Sequence, residues 1–119
     1  MSSREWWLRI QDILDAIAKI QRYTTNLTIE EFQAVDDMVT QAVLYNFVII
    51  GEAIRNVPDS LQQRYPHIPW RRIAGTRNVV AHEYFQVNMA ILWNTIQNDL
   101  PGLATQLEDL LDRELSDRQ

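Results

Sequence analysis

Apolar side chains recur at steps of three and four along nearly the whole chain, and that period commits it to helix. Trp6, Ile10, Ile13, Leu14, Ile17 and Ile20 form a first stripe. Phe32 and Val35 open a second, and Met89, Leu92, Trp93, Ile96 and Leu100 make another. Leu103, Leu107, Leu110 and Leu111 form a last one. No segment alternates with the period of two that a half-buried strand needs. Three glycines and four prolines supply little turn material for a sheet of many strands. At 119 residues the chain is long enough for one helical core and too short for two. The expectation is an all-α fold in one domain over residues 1–115, with a charged tail at 116–119 that frays.

Local signals place the helix ends. Ser2 and Glu5 have capping-box spacing, which starts a first helix near Ser3 and runs it to about Tyr23. Thr28 and Glu31 repeat the spacing and start a second, expected to continue to about Val57 before Pro58. Its stretch from Ala42 to Ile50 is apolar nearly all round, the mark of a helix buried on most sides. A core this small hardly covers so much apolar surface, so the surplus points to a dimer interface. Gly51, inside this helix, costs roughly 1 kcal/mol against alanine and is expected to permit a close helix crossing. Pro58 to Ile68 reads as a loop or short helix ended by Tyr65-Pro66, with His67 on the surface. Pro69 suits the first position of a third helix, which carries on to about Tyr84. After a break at residues 86–88, Asn88 caps a fourth helix. Pro101 either kinks that helix or makes it stop and restart at Gly102.

Composition narrows the function classes. There is no cysteine, so neither a disulfide framework nor a thiolate zinc site is available. Residues 1–7 have no apolar signal-peptide core. The run Ala42–Ile50, interrupted by Asn46, falls short of the ~20 apolar residues a membrane span needs. A soluble, cytoplasmic protein without membrane contact is expected. The net charge of −5 speaks against nucleic-acid binding until its distribution is read. From Arg55 to Arg77 there are five arginines and one acid, Asp59, so this segment carries +4 and leaves −9 on the rest. Arginine makes forked contacts to phosphate; a basic loop balancing acidic neighbours explains the pattern equally well.

The densest chemistry lies in PWRRIAGTRNVVAHEYF, residues 69–85. On a regular helix at roughly 100° per residue, with Arg77 at zero, Tyr84 falls near −20°, Ala81 near 40°, Ala74 near 60°, Asn78 near 100°, His82 near 140° and Gly75 near 160°. One broad arc thus holds arginine, asparagine, histidine and tyrosine, separated only by glycine and alanine. Such a surface admits close approach by a second copy of the helix, by a nucleic acid, or by both. Arg77 and His82 are ~7.5 Å apart along the axis and ~140° apart around it, a spacing unsuited to two ligands gripping one metal. Asn78 and His82, at i and i+4, are placed for Asn78 to orient the imidazole or to touch the same substrate. An imidazole suits proton transfer near neutral pH, and a guanidinium suits developing phosphorane charge. RNA cleavage needs both, and two copies facing across a dimer would supply two imidazoles. By spacing alone the same residues also fit a structural role, with His82 bonded to a carbonyl at the helix end and Tyr84 packed beside Phe85. Glu52 is placed to pair with Arg55 or to reach Arg77, and the sequence does not decide between them.

RNVVAHEY resembles the RxxxxHxY motif of HEPN-domain ribonucleases, specifically the HepT-like toxins of two-gene toxin–antitoxin systems. IIGEA (49–53), YPHIPWRRIAG (65–75) and WNTIQNDLP (93–101) resemble the same family in order and spacing. One departure is Gly75-Thr76, where relatives often carry a larger apolar residue after the glycine. The resemblance implies a HEPN-like, up-and-down bundle of four to five helices that forms a homodimer with a composite cleft. It implies metal-independent cleavage of RNA, tRNA or mRNA, with Arg77 and His82 as the catalytic pair, Asn78 beside them, and no cofactor. It further implies a type VII-like system, in which an MntA-like minimal nucleotidyltransferase antitoxin transfers AMP to Tyr84. The competing expectation is a non-catalytic dimeric binding module that docks and regulates a nucleotidyltransferase.

Overall fold

The computed structural model describes residues 5–33, 38–82 and 88–116, with the backbone alone at Val79, Ala81 and His82. In chain order it contains α1 (Trp6–Thr24), α2 (Ile29–Phe32), α3 (Met38–Arg55), α4 (Asp59–Arg64), α5 (Trp70–His82), α6 (Met89–Asn94), a π-helical turn (Thr95–Asp99) and α7 (Leu100–Ser116). Among the described residues there is no strand, so the all-α expectation holds. The helices α1 and α3 pack side by side, α5 lies against α3, and α7 covers α1.

The stripes read from the sequence are the faces that meet. Ile10, Ile13, Ile17 and Ile20 of α1 are almost completely buried, as are Val43, Leu44, Phe47 and Ile50 of α3. Ile73 and Val80 bring α5 into the same core, and Leu100, Leu103, Leu107 and Leu110 bring α7. Each such side chain contributes roughly 1.5–3 kcal/mol on leaving water, which holds the bundle together. At one end Phe32 of α2 stacks at a tilt on Trp93 of α6, with ring centroids 5.4 Å apart.

Several helix ends differ from the sequence reading. Ser2 and the expected start near Ser3 lie outside the described residues; the first described helical residue is Trp6, after Glu5, which makes no side-chain cap. The Thr28–Glu31 capping box is present in both directions, but the helix it starts ends at Phe32. A separate helix begins at Met38, with residues 34–37 between them outside the described set. The second helix is therefore two. Nor is α3 buried all round between Ala42 and Ile50: Tyr45 is 66% exposed, while Asn46 is the polar residue that goes inside. The Asn46 Nδ2 donates to the Ala42 carbonyl at 2.9 Å, one turn back. Its Oδ1 is buried without a hydrogen-bond partner.

The second half follows the punctuation more closely. Pro58 to Ile68 contains the short α4, which ends at Arg64 with Tyr65 as its C-cap, and His67 is exposed. Pro69 stands just before α5 and accepts from the Ile73 amide at 3.1 Å, one position earlier than expected. Asn88 caps α6 through its side chain, accepting from the Ile91 amide at 3.1 Å. The break at 86 and 87 and the tail from 117 onward lie outside the described residues. Pro101 neither stops the helix nor forces a restart at Gly102, because a π turn precedes it, with the Leu100 amide donating to the Thr95 carbonyl. The wider turn relieves the press of the proline ring on the preceding carbonyls. No described helix is long and apolar enough to cross a membrane.

Candidate active site

The site is built where α5 crosses α3. Gly51 faces α5 so closely that a Cβ there would run into the Cβ of Arg77, come 2.9 Å from its Cγ and 3.2 Å from the Ala74 carbonyl. The missing side chain therefore lets the two backbones approach, and the aliphatic stem of Arg77 lies across α3. Only 24% of that side chain remains exposed. Arginine is suited to such a place, since its stem tolerates burial while its planar head reaches solvent.

Two neighbours fix the guanidinium. The Nε of Arg77 is 3.7 Å from the Glu52 Oε2, and Nη1 donates to the Asn78 Oδ1 at 3.3 Å. Nε is buried and makes no hydrogen bond, so the Glu52 contact is purely charge on charge. The same Glu52 oxygen lies 3.6 Å from Arg55 Nη1. Of the two partners the sequence offered Glu52, it takes both. The trio Glu52, Arg55 and Arg77 keeps a net positive charge at the mouth of the crossing.

Arg77 and Asn78 are thus brought into direct contact, with the Asn78 side chain exposed. Helix α5 continues without interruption from Arg77 to His82, its last described residue. Five residues of regular helix separate the two by about 7.5 Å along the axis. Tyr84 lies outside the described residues. Thr76, at the departure noted above, turns its hydroxyl to the Ile73 carbonyl at 2.7 Å and is half-buried.

Two features escaped the sequence reading. One is that Gly51 meets Arg77 itself: a helical glycine foretells a crossing and says nothing of which residue it meets. The other is Arg71. Four of the five arginines from 55 to 77 lie within ion-pair distance of a carboxylate: Arg55 and Arg77 at Glu52, Arg64 at Glu114, and Arg72 at Asp99. Arg71 is exposed and has no such partner among the described residues. Its helical angle, available from the sequence, was the signal that could have found it.

A family profile described as "Ribonuclease HepT-like" matches residues 13–110, which run from α1 through most of α7 and include the whole α3–α5 crossing. The chain belongs to the HepT-like ribonuclease family. Among its relatives, the "Probable ribonuclease HepT" of Thermococcus cleftensis is 38% identical over 102 residues, covering 85% of this chain and 91% of that protein. A "Putative RNase" of Caldanaerobacter subterraneus is 33% identical over 105 residues, 88% of this chain and 93% of its own length. A third relative, a "Putative RNase" of Methanocaldococcus jannaschii, is 31% identical over 102 residues, 86% and 84% of the respective chains. No solved structure matches. The ribonuclease reading is borne out at the level of the family, and within this HepT-like chain the residues that meet at the crossing all fall inside the matched region.

Proposed function

We propose that this chain is the ribonuclease toxin of a type VII-like toxin–antitoxin pair, cutting tRNA or mRNA without a metal ion, with Arg77 and His82 as the catalytic pair. The observation that carries this reading is Arg77 itself. Its stem is clamped over Gly51, its head is held by Glu52 and Asn78, and it sits on the same uninterrupted helix as His82. A guanidinium held this firmly stabilises charge that develops on a phosphate without first having to reorganise.

The reaction divides into steps that these groups can serve. The 2′-hydroxyl gives its proton to an imidazole as its oxygen bonds to phosphorus. Arg77 takes up the added negative charge on the phosphorane, and Asn78 orients a phosphate oxygen or the imidazole. The bond from phosphorus to the 5′-oxygen then breaks, and that oxygen receives a proton from an imidazolium. The products are a 2′,3′-cyclic phosphate and a 5′-hydroxyl. Base and acid are different protonation states, so two His82 side chains from a homodimer share the work more readily than one. The outer face of α3 supports such a dimer. Met38 is 84% exposed and Tyr45, seven residues on, is 66% exposed. Glu52, a further seven along, brings the same line to Arg77.

In the same reading an MntA-like nucleotidyltransferase acts as the antitoxin. The phenolic oxygen of Tyr84 attacks the α-phosphorus of ATP, forming a tyrosyl–AMP bond and releasing pyrophosphate. An anionic nucleotide two residues past His82 would compete for Arg77 and repel RNA. The products in EDTA test the nuclease step: fragments ending in cyclic phosphate and 5′-hydroxyl are expected. Intact RNA under all conditions would instead favour the non-catalytic binding module. Peptide mass spectrometry after co-expression with the nucleotidyltransferase tests the modification, and an unmodified Tyr84 would remove it from the account.

A further inference from the structure

On α5 the one arginine of the basic segment with no carboxylate partner among the described residues shares a face with the active-site asparagine. Arg71 and Asn78 are seven residues apart, which on a regular helix is about 10.5 Å along the axis and only about 20° around it. Both are exposed. Between them on the same face lies Gly75, where an added Cβ would meet nothing within 4 Å. Unlike Gly51, this glycine is not filled by a neighbouring helix. It leaves a shallow bare saddle between a cation and an amide. Arg71 also stands at the rim of an open cleft of about 410 Å³ between α4 and the start of α5, walled by Asp59, Gln62, Gln63 and Trp70.

We infer that Arg71, Gly75 and this cleft form a subsite for the nucleotides that flank the cut, binding the strand on one side of the phosphate held at Arg77. The inference rests on the nuclease reading for the position of the cut, though not for the binding itself. Arg71 takes a backbone phosphate; its guanidinium has no carboxylate partner among the described residues to give up, so no ion pair there opposes binding. Gly75 lets the strand lie against the helix backbone on its way from Asn78. The cleft then offers amides and a carboxylate, which can bond a base edge or a ribose hydroxyl, where Arg71 has already met the phosphate charge. Arg64 and Arg72 are poorly placed for this, since each would have to leave its carboxylate.

The test uses the full chain and a fluorescein-labelled single-stranded RNA, read by anisotropy across a salt series, together with cleavage. Arg71→Gln is expected to weaken binding several-fold and to lower the slope of log K against log salt by about 0.7, the share of one phosphate on a single strand. Arg71→Lys restores part of the affinity. Gly75→Gln fits the open space, so the fold survives, and it weakens binding by covering the saddle. Arg113→Gln removes the same charge from α7, far along the chain, and leaves affinity unchanged. Shortening the RNA to a dinucleotide removes the difference between parent and Arg71→Gln. Equal affinity and equal salt slopes for parent and Arg71→Gln would overturn the subsite. If the parent binds RNA in an Arg71-dependent way but never cuts it, the nuclease reading fails and the subsite stands. If it neither binds nor cuts, both fall.

Discussion

Gly51 on α3 and Arg77 on α5 occupy one contact: the arginine stem fills the space that a side chain at position 51 would take. The closeness of two helices and the placement of the proposed phosphate-binding group are therefore the same event. Gly51→Ala gains about 1 kcal/mol of helix propensity. Overpacking costs ~1–3 kcal/mol and here falls on a Cβ and a backbone carbonyl, which cannot swing aside as a flexible chain end does. The expected result is a lower thermal midpoint than the parent and RNA cleavage reduced at least tenfold. An alanine variant as stable and as active as the parent would show that the crossing does not position Arg77.

Glu52 gives a prediction of the opposite sign. Its carboxylate is half exposed, so its ion pairs contribute ~1 kcal/mol or less. It nevertheless places a negative charge beside the group proposed to meet phosphate. Glu52→Gln should change the unfolding free energy by less than about 1 kcal/mol and tighten RNA binding a few-fold at low salt, with the gain fading as salt rises. Weaker binding in this variant, read in the same titration, would mean that Glu52 serves mainly to hold Arg77 in place.

Between the end of α4 and α7, the Tyr65 hydroxyl donates to the Glu114 Oε2 at 2.8 Å, while Arg64 pairs with the other carboxylate oxygen. Burial, then the Glu114 hydrogen bond and its charge, pushes the Tyr65 phenol above its ordinary value of 10.0. The folded state thus prefers the neutral phenol more than the unfolded chain does. Stability from this site is complete below pH ~10 and is lost as pH rises through the folded-state value. Tyr65→Phe should cost about 1–2 kcal/mol at neutral pH and flatten the alkaline loss. Denaturant midpoints from pH 7 to 11 measure both; parallel curves for parent and variant would contradict the assignment.

The capping box at Thr28 is a smaller and cleaner test. Its hydroxyl accepts from the Glu31 amide at 3.2 Å, and the Glu31 carboxylate accepts from the Thr28 amide at 2.9 Å. Thr28→Ala should cost about 1 kcal/mol in equilibrium unfolding, with RNA binding unchanged because α2 lies away from the crossing.

Much of this was legible in the sequence wherever the determinant is local. The capping box at Thr28 and the cap at Asn88 need only a few residues, and the core stripes need only the helical period. The close crossing at Gly51 could be foreseen because a glycine inside a helix costs stability unless something uses the space. What the sequence left open depended on partners distant in the chain. Glu52 reaches Arg77 as well as its helix neighbour Arg55 only because α5 lies against α3 at that height. The Glu114 carboxylate meets Arg64 and Tyr65 across 50 and 49 positions of sequence. The π turn before Pro101 was hidden for a different reason: a proline inside an apolar period signals a conflict without showing how the backbone resolves it. Arg71 was counted with the segment's charge; its helical angle could be read from the sequence, whereas its lack of a carboxylate among the described residues shows only in the fold.

The central claim is that Arg77 and His82 cut RNA together. Its most direct measurement is the single-turnover rate of RNA cleavage in EDTA for the parent, Arg77→Ala and His82→Ala proteins, each checked for an unchanged helical spectrum. The account predicts cleavage by the parent and a loss of roughly 10²–10⁴-fold in each variant, the range for removing a general acid–base or a charge-stabilising group. Cleavage that persists at the parent rate in both variants, or that requires an added metal ion, would contradict it.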